Sequence, residues 1–68
     1  MKSLAFTLSL ACDNAAFDDG NINYEISRIL REVADKIESG EIGKARDVRD
    51  INGNVVGQFA LMPMPGKN

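Results

Sequence analysis

Few side chains in this chain could do chemistry. There is one cysteine, Cys12, there is no histidine, and three aspartates, Asp13, Asp18 and Asp19, share one short segment. Catalysis needs a nucleophile beside a base, a metal, or an acid–base pair in a pocket. Without histidine the commonest general base is missing. Cys12 continues a two-residue apolar alternation, which reads as a small core residue rather than a reactive thiolate. A single cysteine excludes an internal disulfide and, with no histidine, argues against structural zinc. The aspartates do not make a calcium loop, which needs oxygen ligands at positions one, three and five and glycine at six. Counted from Asp13, Ala15 and Phe17 fall at three and five; counted from Asp47, Arg49 falls at three; counted from Asp50, the glycine arrives at four. Gly40 and Gly43 flank an acidic connection and form no phosphate-binding pattern. The expectation is a protein that is not an enzyme, with no cofactor and no metal.

The elements that would position these residues are easier to read. Leu4, Phe6, Leu8, Leu10 and Cys12 alternate with Ser3, Ala5, Thr7, Ser9 and Ala11, which predicts a half-buried strand with a small, neutral outer face. Asp13 to Asn21 reads as a loop, with Phe17 folding back as a lid on the core. Ile22, Ile26, Ile29, Leu30, Val33 and Ile37 share one side of a 3.6-residue helix, predicted from about Asn23 to Ser39. Asn21 or Asn23 is placed to cap it, and Gly40 stands where a left-handed residue ends a helix. Glu32–Lys36 and Arg31–Asp35 are spaced as i,i+4 ion pairs.

Ala45 to Asp50 predicts a charged edge strand. Asp50-Ile51-Asn52-Gly53-Asn54 suits a type I turn with a glycine bulge, or a two-residue turn at Asn52-Gly53. Val55 to Met62 predicts the third strand, where Gly57 suggests a close approach to the helix. The fold class is therefore α+β: β-α-β-β, a mostly antiparallel three-stranded sheet in the order 1-3-2, one helix on one face. Residues 1–62 form a single domain and 63–68 a flexible C-terminal tail.

At 68 residues the chain buries only about 60% of its unfolded surface. A thin core with no staple favours a partner or a homodimer. The net charge of −2 is interleaved, with Lys44, Arg46 and Arg49 set among Asp47 and Asp50, so no basic stripe for nucleic acid forms. No apolar run reaches the roughly 18 residues of a membrane span. The stretch from Met1 to Cys12 resembles a short lipoprotein signal, but Ser9 stands where leucine is preferred and the alternation suits a strand. The expected location is cytoplasmic.

Asp13-Asn14-Ala15-Ala16-Phe17, the helix from Ile26 to Gly40, and Arg49-Asp50-Ile51-Asn52-Gly53-Asn54-Val55-Val56-Gly57 together resemble a group of small uncharacterised proteins of tailed bacteriophages and prophages. The resemblance runs from the first strand to the third. It implies a phage or prophage origin and a life in the host cytoplasm, and it transfers no activity and no functional residue. By analogy with small phage proteins such as anti-CRISPR proteins, the expected function is a non-enzymatic accessory protein that binds another protein, inhibiting a host or defence factor. The alternatives are a self-associating structural or assembly protein, and a module that sequesters a small ligand. Candidate partner-binding residues are Thr7 and Ser9 on the bare sheet face, and Arg28, Arg31, Glu32 and Asp35 on the outer helix face.

Overall fold

The structure, a computed structural model, describes residues 3–18, 20–40 and 43–63. Strand β1 (Leu4–Leu10) is followed by a 3-10 turn (Ala15–Phe17), helix α1 (Ile22–Glu38), strand β2 (Arg46–Arg49) and strand β3 (Val55–Pro63). The three strands form an antiparallel sheet in the order β1-β3-β2, the predicted order. The most apolar late strand takes the centre, where both of its edges are paired. β3 runs one residue further than expected, through Pro63, which lies opposite Leu4. The tail expected beyond it, 64–68, lies outside the described residues.

Local chemistry explains the ends of the elements. Gly40 has φ of +102°, and its N–H donates to the Ile37 carbonyl at 3.0 Å, so the expected left-handed stop is present. The start of α1 differs from expectation. Asn21 is the cap residue, but its backbone is already helical and its side chain makes no capping bond. Its main chain is held instead, with the Asn21 N–H on the Asp18 carbonyl at 3.0 Å. At the hairpin, Gly53 N–H donates to the Asp50 carbonyl at 3.0 Å, and Asp50 N–H donates to the Asn54 carbonyl at 2.9 Å. These bonds close a three-residue loop, Ile51–Gly53, with Gly53 at φ +87°, and so select the turn with a glycine bulge.

A second irregularity sets which side chains reach the core. Val48 lies opposite Gly57, but Arg49 lies opposite Val55, so Val56 is an extra residue in β3. The bulge turns Val56 inward beside the Gly57–Phe59 face, while Val55 stays half exposed. Gly57 answers to a neighbour other than the helix. A Cβ there would run into the Ser9 carbonyl oxygen of β1 and sit 3.1 Å from Leu10 Cα. The close approach is therefore between the strands β3 and β1.

The core is Phe17, Ile29, Val33, Val48, Val56 and Phe59. Phe17 closes it as the expected lid, from within the 3-10 turn. Leu8, Leu10, Cys12, Ile26 and Ile37 pack around it. Two apolar stripes are covered less than the sequence suggests. Leu4 and Phe6 lie on the helix-side face but remain 49% and 50% exposed, and Leu30 of the helix stripe is 47% exposed. Helix α1 packs over the hairpin end of the sheet. The other end, from Leu61 and Phe6 outward, has little above it.

Candidate functional site

Two places in the molecule gather unusual residues: a polar knot at the hairpin end and an apolar groove at the other.

The knot starts from two buried acids, Glu25 and Asp50, 3% and 4% exposed. Glu25 lies in the first turn of α1, one turn before Arg28. The Arg28 guanidinium grips it with two bonds, Nε to Oε1 and Nη2 to Oε2, both 2.9 Å. The Ile51 N–H donates to Oε2 at 2.8 Å, tying the helix to the tip of the hairpin. Asp50 organises the turn itself. Its Oδ1 accepts the N–H groups of Asn52 and Asn54, each at 2.9 Å. Its Oδ2 accepts the amides of Asn14 at 2.9 Å and Asn54 at 3.3 Å. Asn14 brings in the loop that carries Phe17, so three segments meet on two carboxylates.

The electrostatics follow from these bonds. The Arg28 hydrogen bonds hold the Glu25 carboxyl below its ordinary range, outweighing the opposing effect of burial. Glu25 in turn raises Arg28. The Asn14 amide, followed by the Asn54 and Asn52 donors, holds Asp50 low against its own burial. Both acids are ionised at neutral pH, and every carboxylate oxygen already has a donor. Such groups are poor proton shuttles, because a general acid or base needs a pKa near working pH and a free position. The knot is a buckle in the fold. A polar cleft of about 350 Å³ opens beside it, lined in part by Arg28, Lys36 and Arg49. Arg28 is committed to Glu25, and Arg49 Nη1 donates to the Gly53 carbonyl at 2.9 Å.

The groove is of another kind. About 500 Å³ of open space lies between α1 and the free end of the sheet, lined by Phe6, Leu30, Val33, Ala34, Ile37 and Leu61, with Glu38 at its margin. It faces the β1 side of the helix; the polar cleft faces the β2 side.

The structure distributes the six sequence candidates over two surfaces. Thr7 and Ser9 are exposed on the sheet face turned away from α1. Arg31, Glu32 and Asp35 are exposed on the helix. Arg28 lies partly beneath them, its side chain 24% exposed, bonded to Glu25 and at 3.3 Å from Glu32 Oε2. Glu32 therefore pairs with Arg28, and among the described residues no ion pair joins Glu32 to Lys36 or Arg31 to Asp35. The sheet separates the two groups, so they do not form one site.

Sequence reasoning missed Glu25, Asn14 and the role of Asp50. No local pattern ties Asn14 to Asp50, which lie 36 positions apart and bond to each other across the fold. Among the described residues no group of three or more metal-ligating side chains occurs, and no helix is long and apolar enough to cross a membrane. Compared with protein-family models, with curated proteins and with solved structures, the chain matches none.

Proposed function

We propose that this protein is a non-enzymatic accessory protein of a phage or prophage that works by binding another protein in the host cytoplasm. The observation that carries this reading is the apolar groove between α1 and the free end of the sheet. Its walls include Phe6 and Leu30, each about half exposed. Large apolar side chains gathered in one open concavity are costly to leave in water and are a common mark of an interaction surface. The knot supports the same reading from the other side. Its two buried acids are spent on holding the hairpin, the loop and the helix together, which makes them supports of the fold rather than a reactive centre. The fitting partner presents a short apolar segment, such as one face of an amphipathic helix. Inhibition of a host or defence factor, in the manner of anti-CRISPR proteins, is the role we assign by analogy to that binding.

The test is affinity capture from host lysate with the wild-type chain and two variants. Leu30→Lys places a charge in the groove; a charge reversal of Arg31, Glu32 and Asp35 changes the solvent face of α1. We expect one stoichiometric partner that is lost with Leu30→Lys and kept with the charge reversal. The opposite pattern would move the binding surface to the outer helix face. Capture of nothing but the bait would favour self-association, the reading to which β1 gives specific support.

A further inference from the structure

We infer that β1 is a self-pairing edge, and that two copies of this chain join through it into one continuous six-stranded sheet. The two edges of the sheet differ in what they expose. β2 is short, its ladder with β3 is interrupted by the bulge at Val56, and three of its four residues, Arg46, Asp47 and Arg49, are charged; these are the usual protections of a sheet edge. β1 has none of them. Its seven residues, Leu-Ala-Phe-Thr-Leu-Ser-Leu, contain no charge, no proline and no glycine, and nothing among the described residues pairs with its outer side.

The strand is also nearly its own mirror. Folded about Thr7, Leu4 meets Leu10, Ala5 meets Ser9, Phe6 meets Leu8, and Thr7 meets itself. An antiparallel copy related by a twofold axis through Thr7 therefore sets large apolar residues against large apolar residues on the helix side. It sets small neutral residues against each other on the outer side, with a Thr–Thr pair at the axis. Both kinds of cross-strand pair are favourable.

The backbone agrees with this register independently. Ala11 N–H donates to the Val56 carbonyl at 2.8 Å, in the same register as Ser9 opposite Gln58. The main-chain groups of the odd residues therefore face β3, and those of Leu4, Phe6, Leu8 and Leu10 face the open edge. In the Thr7-centred register each of these four lies opposite another of them, so every outward N–H and C=O gains a partner. Thr7 then falls at a non-hydrogen-bonded position, where facing Cα atoms approach to about 4.5 Å. A register shifted by one residue would set the apolar face of one copy against the polar face of the other.

The axis is perpendicular to the sheet, so both helices lie on one side and the two apolar grooves, which open toward β1, merge into a single trough. Phe6, half exposed in one chain, then packs beside Leu8 of the second copy. The contact is isologous and closed, as in most soluble homodimers. It stands whether or not a third protein enters the trough.

Light scattering and engineered disulfides test it together. The wild type should have twice the 7.4 kDa chain mass, and Thr7→Lys, which sets two ammonium groups face to face at the axis, should halve it. Circular dichroism should show the variant folded, since Thr7 is exposed on the outer face. In a Cys12→Ser background, Thr7→Cys should cross-link nearly completely under mild oxidation, because facing Cα atoms near 4.5 Å are within disulfide reach. Ser9→Cys should cross-link only when Ala5→Cys is also present. A wild type of single-chain mass at millimolar concentration, a dimeric Thr7→Lys, or efficient cross-linking of Ser9→Cys alone would overturn the proposal.

Discussion

The hairpin end and the free end of this small sheet solve the problem of a thin core in opposite ways. At the hairpin end, Phe17, Ile29, Val48, Val56 and Phe59 are covered, and the polar groups around them are bonded to one another through Glu25 and Asp50. At the free end, Leu4, Phe6 and Leu30 stay near half exposure over an open groove. The difference teaches where the fold is self-sufficient and where it is left for something else to complete. Buried polar networks confer a defined geometry when every member is satisfied, and here they sit beside the core and not beside the groove. The same contrast appears across the sheet, in a short, charged β2 edge against a longer, neutral β1 edge.

Substitutions should separate the two ends. Phe59, 2% exposed, is central to the covered end. Phe59→Ala should cost about 4 kcal/mol, against a total stability of roughly 3–10 kcal/mol for a chain of this length. Urea titration should show it largely unfolded or close to it. Glu25→Ala should cost about 3 kcal/mol, because Arg28, at the margin of the core, loses its two-point partner and keeps only the more exposed Glu32. In the same titration it should also speed amide exchange at Ile51, whose N–H loses its acceptor. Gly57→Ala forces β1 and β3 apart at Ser9 and should cost about 2 kcal/mol.

The pH dependence belongs to the hairpin end as well. Glu25 and Asp50 are both held below their ordinary values in the folded chain, so the unfolded chain takes up protons first as pH falls. Their contribution is complete above the ordinary carboxylate range, roughly pH 5, and is lost progressively below it. Melting followed by circular dichroism should show this slope, and Glu25→Gln should flatten part of it. At the free end, Leu30→Lys should change stability by no more than about 0.5 kcal/mol while abolishing capture of a partner. A large loss of stability there would mean that the groove belongs to the core and would erase the contrast.

How far the sequence reveals this molecule depends on the range of the forces involved. Period-two and period-3.6 patterns reflect neighbours along the chain, and they give β1, α1, the hairpin and the order β1-β3-β2 within a residue or two at each end. They place Phe6 and Leu30 on the correct faces. They cannot say that α1 sits over one end of the sheet, because that depends on where Ile29 and Val33 meet Val48 and Phe59 in space. The bond between Asn14 and Asp50 spans 36 positions, and no local pattern signals it. The bulge at Val56 leaves no mark in composition, yet it decides which of two adjacent valines is buried.

The pairing of β1 with β3 also has a consequence in time. Leu4 lies opposite Pro63, so the chain must bring nearly its whole described length together before this ladder can form. The β2–β3 hairpin closes over three residues and α1 is local, and both can precede it. Long closures are slow, which makes β1 the late arrival in folding. Until it docks, β3 shows an open flank, and a β1 from a neighbouring chain fits that flank as well as its own does. At high concentration the refolding chain should therefore produce strand-exchanged species as well as native protein. Rapid dilution during refolding should suppress them.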